Sequence, residues 1–305
     1  MMLRPAVVIP TLNAGKLLEP LISSLKNQAL PPSEILVVDS SSDDGTPEKA
    51  RALGARVLTI ARRDFDHGGT RNLAASESAG EFIVFLTHDA LPRDAEFLQN
   101  LLRPFKNPRV AAAYGRQIPR PEANPLERFA RNFNYPETPR LKSREDIPEL
   151  GIKAFFCTNV CCAVRRDAFD AAGGFPERAI LNEDMLLAAR LILSGRQVAY
   201  QPSAAVIHSH DYTLWRTFER YFDIGVSLAR APWILQEARP EGEGERYLRE
   251  AARTLWREGD GAWIWKLGFE SLSKYAGYRL GLSERFLPRP LKRRLSMHKR
   301  FWDRE

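Results

Sequence analysis

Long apolar runs are absent from this 305-residue chain; none approaches the roughly twenty apolar residues that a bilayer-spanning helix needs. The opening MMLRPAVVIPTLN passes straight into a strand-like pattern, which leaves no room for a signal peptide. Cysteine is scarce: Cys157, Cys161 and Cys162 fall within six positions and form no spaced framework. That excludes a disulfide scaffold and a zinc ribbon, and points to the reducing cytoplasm. Also missing are a G-x-G-x-x-G after the first apolar run, a P-loop and a G-x-S-x-G elbow, which removes three common enzyme classes. A nucleotidyltransferase would want a Gly- and Arg/Lys-rich loop after its first strand, and PTLNAGKLLEP offers one Gly and one Lys. There is no internal repeat.

An excess of either charge is missing from the body of the protein. From Lys274 to Glu305 ten Lys and Arg stand against three Asp and Glu, and that surplus of seven equals the +7 of the whole chain. A balanced body with a basic tail does not describe a nucleic-acid-binding surface, and no nucleic-acid partner is expected.

What is present is alternation. The runs AVVIP (6–10), EILVVD (34–39), RVLTIA (56–61) and EFIVFLTHD (81–89) are short and rich in Val and Ile. Between the first two, AGKLLEPLISSLKNQ spaces Leu17, Leu18, Leu21, Ile22 and Leu25 at helical intervals. Continuous apolar strands separated by helices imply an α/β fold, with a mostly parallel sheet covered on both faces. Ligands of such sheets bind beyond the carboxyl ends of the strands. The loops there are PTLN, DSSSDDGT, RDFDHGGTRN and THDA. Further on, VAAAYGRQIP reads as a strand, and the Pro- and Arg-rich segment 124–151 as an acceptor-side loop region without sustained period. CTNVCCAVRR then reads as a strand that packs the three cysteines. NEDMLLAARLILSG reads as a helix closed by Gly195, ahead of a strand ending in HSH. LWRTFERYFDIGVSLARA is helical, and after a loop near Pro240 to Glu245 the remainder is helical and aromatic.

Several residues admit two readings. Asp39 suits a nucleobase N–H or ribose hydroxyl, with Pro10, Thr11 and Asn13 nearby; equally, Asp39, Ser41, Ser42 and Asp43 suit turns and a helix cap. Glu183 and Asp184 at a helix start are favoured by the helix dipole alone. Asp89 would also serve as a cap, and histidines are most often packing or surface residues. Yet His67, His88, His208 and His210, four of five in the chain, fall in motif loops.

Taken together, VVIPTLNAGKLLEPLISSL, ILVVDSSSDDGT, GEFIVFLTHDALP and NEDMLLAARLILSGRQVAYQP resemble, in order and spacing, the family-2 glycosyltransferases with the GT-A fold. FDHGGTRNLAA, AVIHSHDYT and the final YAGYRLGLSERFLPRPLKRRLSMHKRFW resemble its rhamnosyltransferase branch. The resemblance implies a GT-A catalytic domain over 1–235, with a donor half to about 118 and an acceptor half beyond. A helical, basic-aromatic appendage would occupy 236–305. It implies an inverting transferase whose donor is dTDP-L-rhamnose, or alternatively a UDP-sugar, and whose acceptor is a lipid-linked or polysaccharide glycan of the cell envelope. A catalytically dead sugar-nucleotide-binding module would share these motifs.

In that family a metal-binding Asp-x-Asp is usual; here it reads Thr87-His88-Asp89, and only Asp89 carries over. Asp89 is thus expected to hold Mg²⁺ or Mn²⁺, with His208 or His210 as a further ligand that would favour Mn²⁺. Asp184 matches the catalytic base and Glu183 is its neighbour. The donor-binding set is Pro10, Thr11, Asn13, Asp39, Ser41, Asp43, His67, Gly69, Arg71, Asn72 and His88, with Arg71 expected on a phosphate. Of the tail two readings stand: a segment lying in an anionic membrane interface on the cytoplasmic face, or a basic cap folded onto the catalytic domain.

Overall fold

The computed structural model describes residues 5–238 and 243–304. One sheet of nine strands forms the centre: β1 (Pro5–Thr11), β2 (Glu34–Asp39), β3 (Arg56–Thr59), β4 (Phe82–Leu86), β5 (Leu91–Pro92), β6 (Val110–Ile118), β7 (Arg140–Lys142), β8 (Cys161–Arg165) and β9 (Gln197–Ile207). Their spatial order is β3-β2-β1-β4-β8-β6-β9-β5, with β7 added on β9. Strands β3, β2, β1 and β4 run parallel; β8 is antiparallel to both β4 and β6, and β6 and β9 are parallel.

Strand alternation explains the two apolar layers. Val8, Leu36, Val38, Ile83 and Phe85 face one core, while Val7, Ile9, Val37, Phe82 and Val84 face the other. Helix α1 (Gly15–Lys26) buries Leu18, Leu21, Ile22 and Leu25 on the second layer and leaves Leu17 exposed. Next come α2 (Thr46–Ala52), α3 (His67–Glu77) and α4 (Phe97–Leu102). The segment 124–151, expected to be irregular, instead opens with a ten-residue helix, α5 (Pro125–Asn134). Its start is dictated locally: the Asn124 side chain caps the Glu127 amide at 3.1 Å and Pro125 takes the first turn. After α6 (Ile147–Leu150) and α7 (Arg166–Ala171), α8 (Glu183–Leu193) carries the acidic pair at its first turn and ends before Gly195, whose φ is 86°.

The C-terminal helices are α9 (Leu214–Arg230), α10 (Pro232–Glu237), α11 (Glu243–Arg257), α12 (Trp263–Leu282), α13 (Arg289–Leu295) and α14 (Lys299–Asp303). Of the loop expected at Pro240 to Glu245, residues 240–242 lie outside the described residues and Glu243 to Glu245 instead begin α11, and the expected boundary at 235 falls within α10. Gly277 and Gly281 do not interrupt a helix. They sit within α12 at its crossing with α9, where a Cβ on Gly277 would stand 2.5 Å from the Phe218 carbonyl. Trp302 near the C-terminus is fully buried and packs beside Phe222 of α9. None of the described helices is long and apolar enough to cross a membrane.

Candidate active site

The loops after β1 and β2 are stitched together. The Asp39 carboxylate, fully buried, accepts from the Thr11 hydroxyl at 3.1 Å, the Ser42 hydroxyl at 2.5 Å and the Ser42 amide at 2.9 Å. Asn13 receives the Asp43 amide at 3.1 Å and gives its own amide to Ser42 at 2.8 Å. Neither Asp39 nor Asp43 caps α2, whose N-cap is Gly45 with no side-chain bond; Asp44, just before it, accepts from the Thr46 amide and hydroxyl and from the Gly15 amide at 3.0 Å. Ser41 and Asn13 both take positive φ, Ser41 gives its hydroxyl to the Ile60 carbonyl, and Asp43 pairs with Arg62 at 3.4 Å. Ser40 is buried and its hydroxyl has no partner.

RDFDHGGTRN is the start of a helix rather than a flexible loop. Asp66 caps α3 by accepting the Gly69 amide at 2.5 Å. Three residues expected at the donor are engaged by other protein groups. Asn72 spends both ends of its amide on the Phe175 backbone, at 2.8 and 2.9 Å. His67 turns its ring to His298, 3.3 Å between nitrogens, and burial lowers both imidazoles to about 3. Arg71, expected at a phosphate, is buried with its guanidinium 3.2 Å from the Glu183 carboxylate.

That ion pair separates the fates of two neighbouring acids. Glu183 is buried and held by Arg71 and by the Asn159 amide group at 3.1 Å. Asp184 receives only backbone amides, from Asn159 at 3.0 Å and Met185 at 2.8 Å. Burial, and then the negative charge of Glu183, raise Asp184 to about 7.

Asp89 does not cap a helix; α4 begins after Glu96 with no side-chain cap. Its carboxylate lies 3.4 Å from His208 Nε2 instead, and ligand atoms of Asp89, His208 and His210 all fall within 4.8 Å of one another. His88, beside Asp89, is half-buried and outside this cluster. The protonation of His208 follows from its support. Arg131, a donor only, reaches Gln117 Oε1, while Gln117 Nε2 donates to Tyr135 at 2.7 Å. The amide orientation is thereby fixed, so His208 Nδ1, 2.9 Å from Gln117 Oε1, carries a proton, and in the neutral imidazole Nε2 presents a lone pair to a carboxylate. Two electron pairs facing at that distance call for a cation between them. The donor set, one carboxylate and two imidazoles, fits a divalent metal of the Mn²⁺ kind. Burial lowers His210 to about 4, so it too is a neutral imidazole; burial would raise Asp89, but whenever His208 Nε2 instead carries a proton its hydrogen bond and charge hold Asp89 well below the usual carboxylate range.

The three-residue segment Thr158–Val160 joins these groups. The Val160 carbonyl accepts the Thr87 amide at 3.2 Å, Thr158 accepts from Gln117 at 3.3 Å, and Asn159 holds both Glu183 and Asp184. Among the described residues, buried polar atoms without partners include those of Ser40, Thr87, Asn159 and Asn182 in these loops and Arg71 Nε in α3. Such orphans are costly and are explained by a ligand or water. Sequence reasoning missed Asp44, Gln117, Arg131, Asn159 and His298. The Asn-Pro-x-Glu run at 124–127 is a helix-start signal that would have placed Arg131 on a helix.

A mixed sheet with a polar cleft at its parallel strand ends, an acid–imidazole cluster and a buried acidic pair defines an α/β protein of the GT-A class. Solved structures agree on the fold: a mannosyltransferase from Pyrobaculum calidifontis, in complex with GDP-Man and Mn2+, aligns with TM-score 0.62 and 18% identity over 92% of this chain and 87% of that one. Staphylococcus aureus TarS in complex with UDP-GlcNAc aligns with TM-score 0.56 and 18% identity over 97% of this chain and 84% of that one. The family model for glycosyl transferase family 2 matches residues 6–173. The O-antigen chain rhamnosyltransferases RfbN of Salmonella typhimurium and WbaN of Salmonella anatum are each 41% identical over 97% of this chain and 95% of their own length. The chain belongs to glycosyl transferase family 2.

Proposed function

We propose that this glycosyltransferase moves L-rhamnose from dTDP-L-rhamnose, with inversion, onto a lipid-linked or polysaccharide acceptor in O-antigen synthesis. The observation that carries the chemistry is the opposite tuning of two acids in one set of loops, Asp89 held ionised and Asp184 poised near neutrality. Asp184 takes the proton of an acceptor hydroxyl; the acceptor oxygen bonds to the anomeric carbon as its bond to the diphosphate oxygen breaks, and the nucleoside diphosphate leaves. Glu183, held in place by Arg71, positions Asn159, and its negative charge keeps Asp184 basic. Asp89, His208 and His210 would hold a divalent metal, which when bound supplies positive charge to the departing diphosphate. The strand-end loops, with Asp39, Thr11 and Asn13, would receive the nucleoside.

Rhamnose as the sugar is supported by the names of relatives that match nearly the whole chain. A cytoplasmic site against the membrane is supported by α12, where Trp265, Phe269 and Leu272 project at i, i+4 and i+7 and are all more than half exposed. The decisive experiment incubates the purified protein with Mn²⁺ or Mg²⁺, an acceptor glycan lipid and a panel of nucleotide sugars. Transfer from dTDP-L-rhamnose that chelator abolishes is the expected result. Transfer from UDP-sugars alone would overturn the donor.

A further inference from the structure

We propose that the C-terminal segment Met297–Arg304 is a wall of the donor site, and that Lys299 and Arg300 hold the phosphates of the bound nucleoside diphosphate. This rests on the nucleotide-sugar reading and adds binding residues to it. A cleft of about 350 Å³ opens between two distant parts of the chain. One side is Leu12 and Ser40 at the ends of β1 and β2, with Arg62, Phe65, Asp66 and His67 before and at the start of α3. The other side is Met297 to Phe301, with Arg304.

Three observations make this a binding site rather than a crevice. First, its charge is unbalanced: Arg62, Arg216, Lys299, Arg300 and Arg304 line it against a single carboxylate, Asp66, already used as the cap of α3. Asp43 offsets Arg62, and the buried Glu219 is shared between Arg216 at 2.9 Å and Lys299 at 3.9 Å, while Arg300 makes a 3.4 Å contact with the Arg62 carbonyl. Second, the Ser40 hydroxyl, 2% exposed and without a partner, lines the same cleft. Third, the wall is fixed. The fully buried Asp223 of α9 accepts the Met297 and His298 amides at 2.9 and 3.1 Å. His298 meets His67 across the cleft, and Trp302 anchors the far end. Cations held around an enclosed polar space, beside strand-end loops, recognise a polyanion that also carries a hydrogen-bonding base.

An anionic lipid would offer phosphate as well, and the test separates the two. Lys299 and Arg300 are exposed but Lys299 also pairs with Glu219, so circular dichroism checks that the double variant K299E/R300E keeps the fold, and R300E alone, which leaves that pair intact, is the second variant. Binding of dTDP to the full-length protein is followed by calorimetry, with dTMP and anionic phosphatidylglycerol vesicles in parallel. R285E/R294E, which makes the same change of charge away from the cleft, is the control. Losing a charged phosphate contact costs about tenfold in affinity. The expectation is therefore a loss of at least about tenfold for dTDP in K299E/R300E, smaller for dTMP, with the control unchanged. Unchanged dTDP affinity in K299E/R300E, or a loss equal to that of the control, overturns the proposal, as does an effect confined to vesicles. A wild type that binds no nucleotide would overturn the donor reading and this one together.

Discussion

Asp89 and Asp184 are the same side chain in opposite surroundings. Asp89, at the end of β4, faces imidazoles and stays ionised; Asp184, in the first turn of α8, faces backbone amides and another acid, and is raised to about 7. Burial pushes both upward. What separates them is the neighbour: an imidazole that shares a proton or a cation with the carboxylate in one case, a negative charge in the other. The lesson is that a carboxylate's job is set by the residue packed against it: for Asp184 that is the adjoining Glu183, for Asp89 it is His208 from a distant strand end.

The largest effect that would break this contrast is at the base. Asp184→Asn should lower kcat by about 10² to 10⁴ while leaving dTDP affinity intact; equal loss of both would remove Asp184 from the chemistry. Next is Arg71→Met, which leaves the Glu183 charge buried without a counter-ion. A cost of about 3–5 kcal/mol in denaturant unfolding is expected, and an unchanged midpoint would mean that the pair contributes nothing. On the Asp89 side, Gln117→Leu frees the His208 ring and should weaken Mn²⁺ binding about 10- to 100-fold, read by titration of the folded protein. Retained affinity would place the metal elsewhere.

The smallest effect is the most discriminating. Asp184 acts as a base only when ionised, so kcat/KM should climb with pH through about 7 and level off above it. Because Glu183 raises Asp184, Glu183→Gln should move that acid limb to lower pH. A limb that stays in place would show that another group controls it.

Much of the fold was legible. Apolar runs of strand length separated by helical spacing gave the β1–β4 half, because burial on both faces leaves no polar alternation to confuse the pattern. Asp89, His208, His210 and the acidic pair were found from motif loops. The segment after β6 was not read, since α5 hides its few buried residues among arginines that cover the surface with their stems. Arg71 was misplaced for a related reason: its partner lies 112 positions away in sequence, and spacing says nothing about which acid a guanidinium will meet. Of the two readings of the basic tail, the folded-back cap describes Met297–Arg304, which lies against the strand-end loops, while the face of α12 remains outside.

By itself the sequence determined the α/β class, the family and the residue types available at the strand ends. Those follow from local periodicity and from motifs a few residues long. Only the tertiary structure decided the pairing of Glu183 with Arg71, the tautomer of His208 through Gln117 and Arg131, and the side of the molecule the last helix covers. Electrostatic tuning and orientation depend on contacts within a few ångströms in space, and chain order does not encode which distant groups will share that distance.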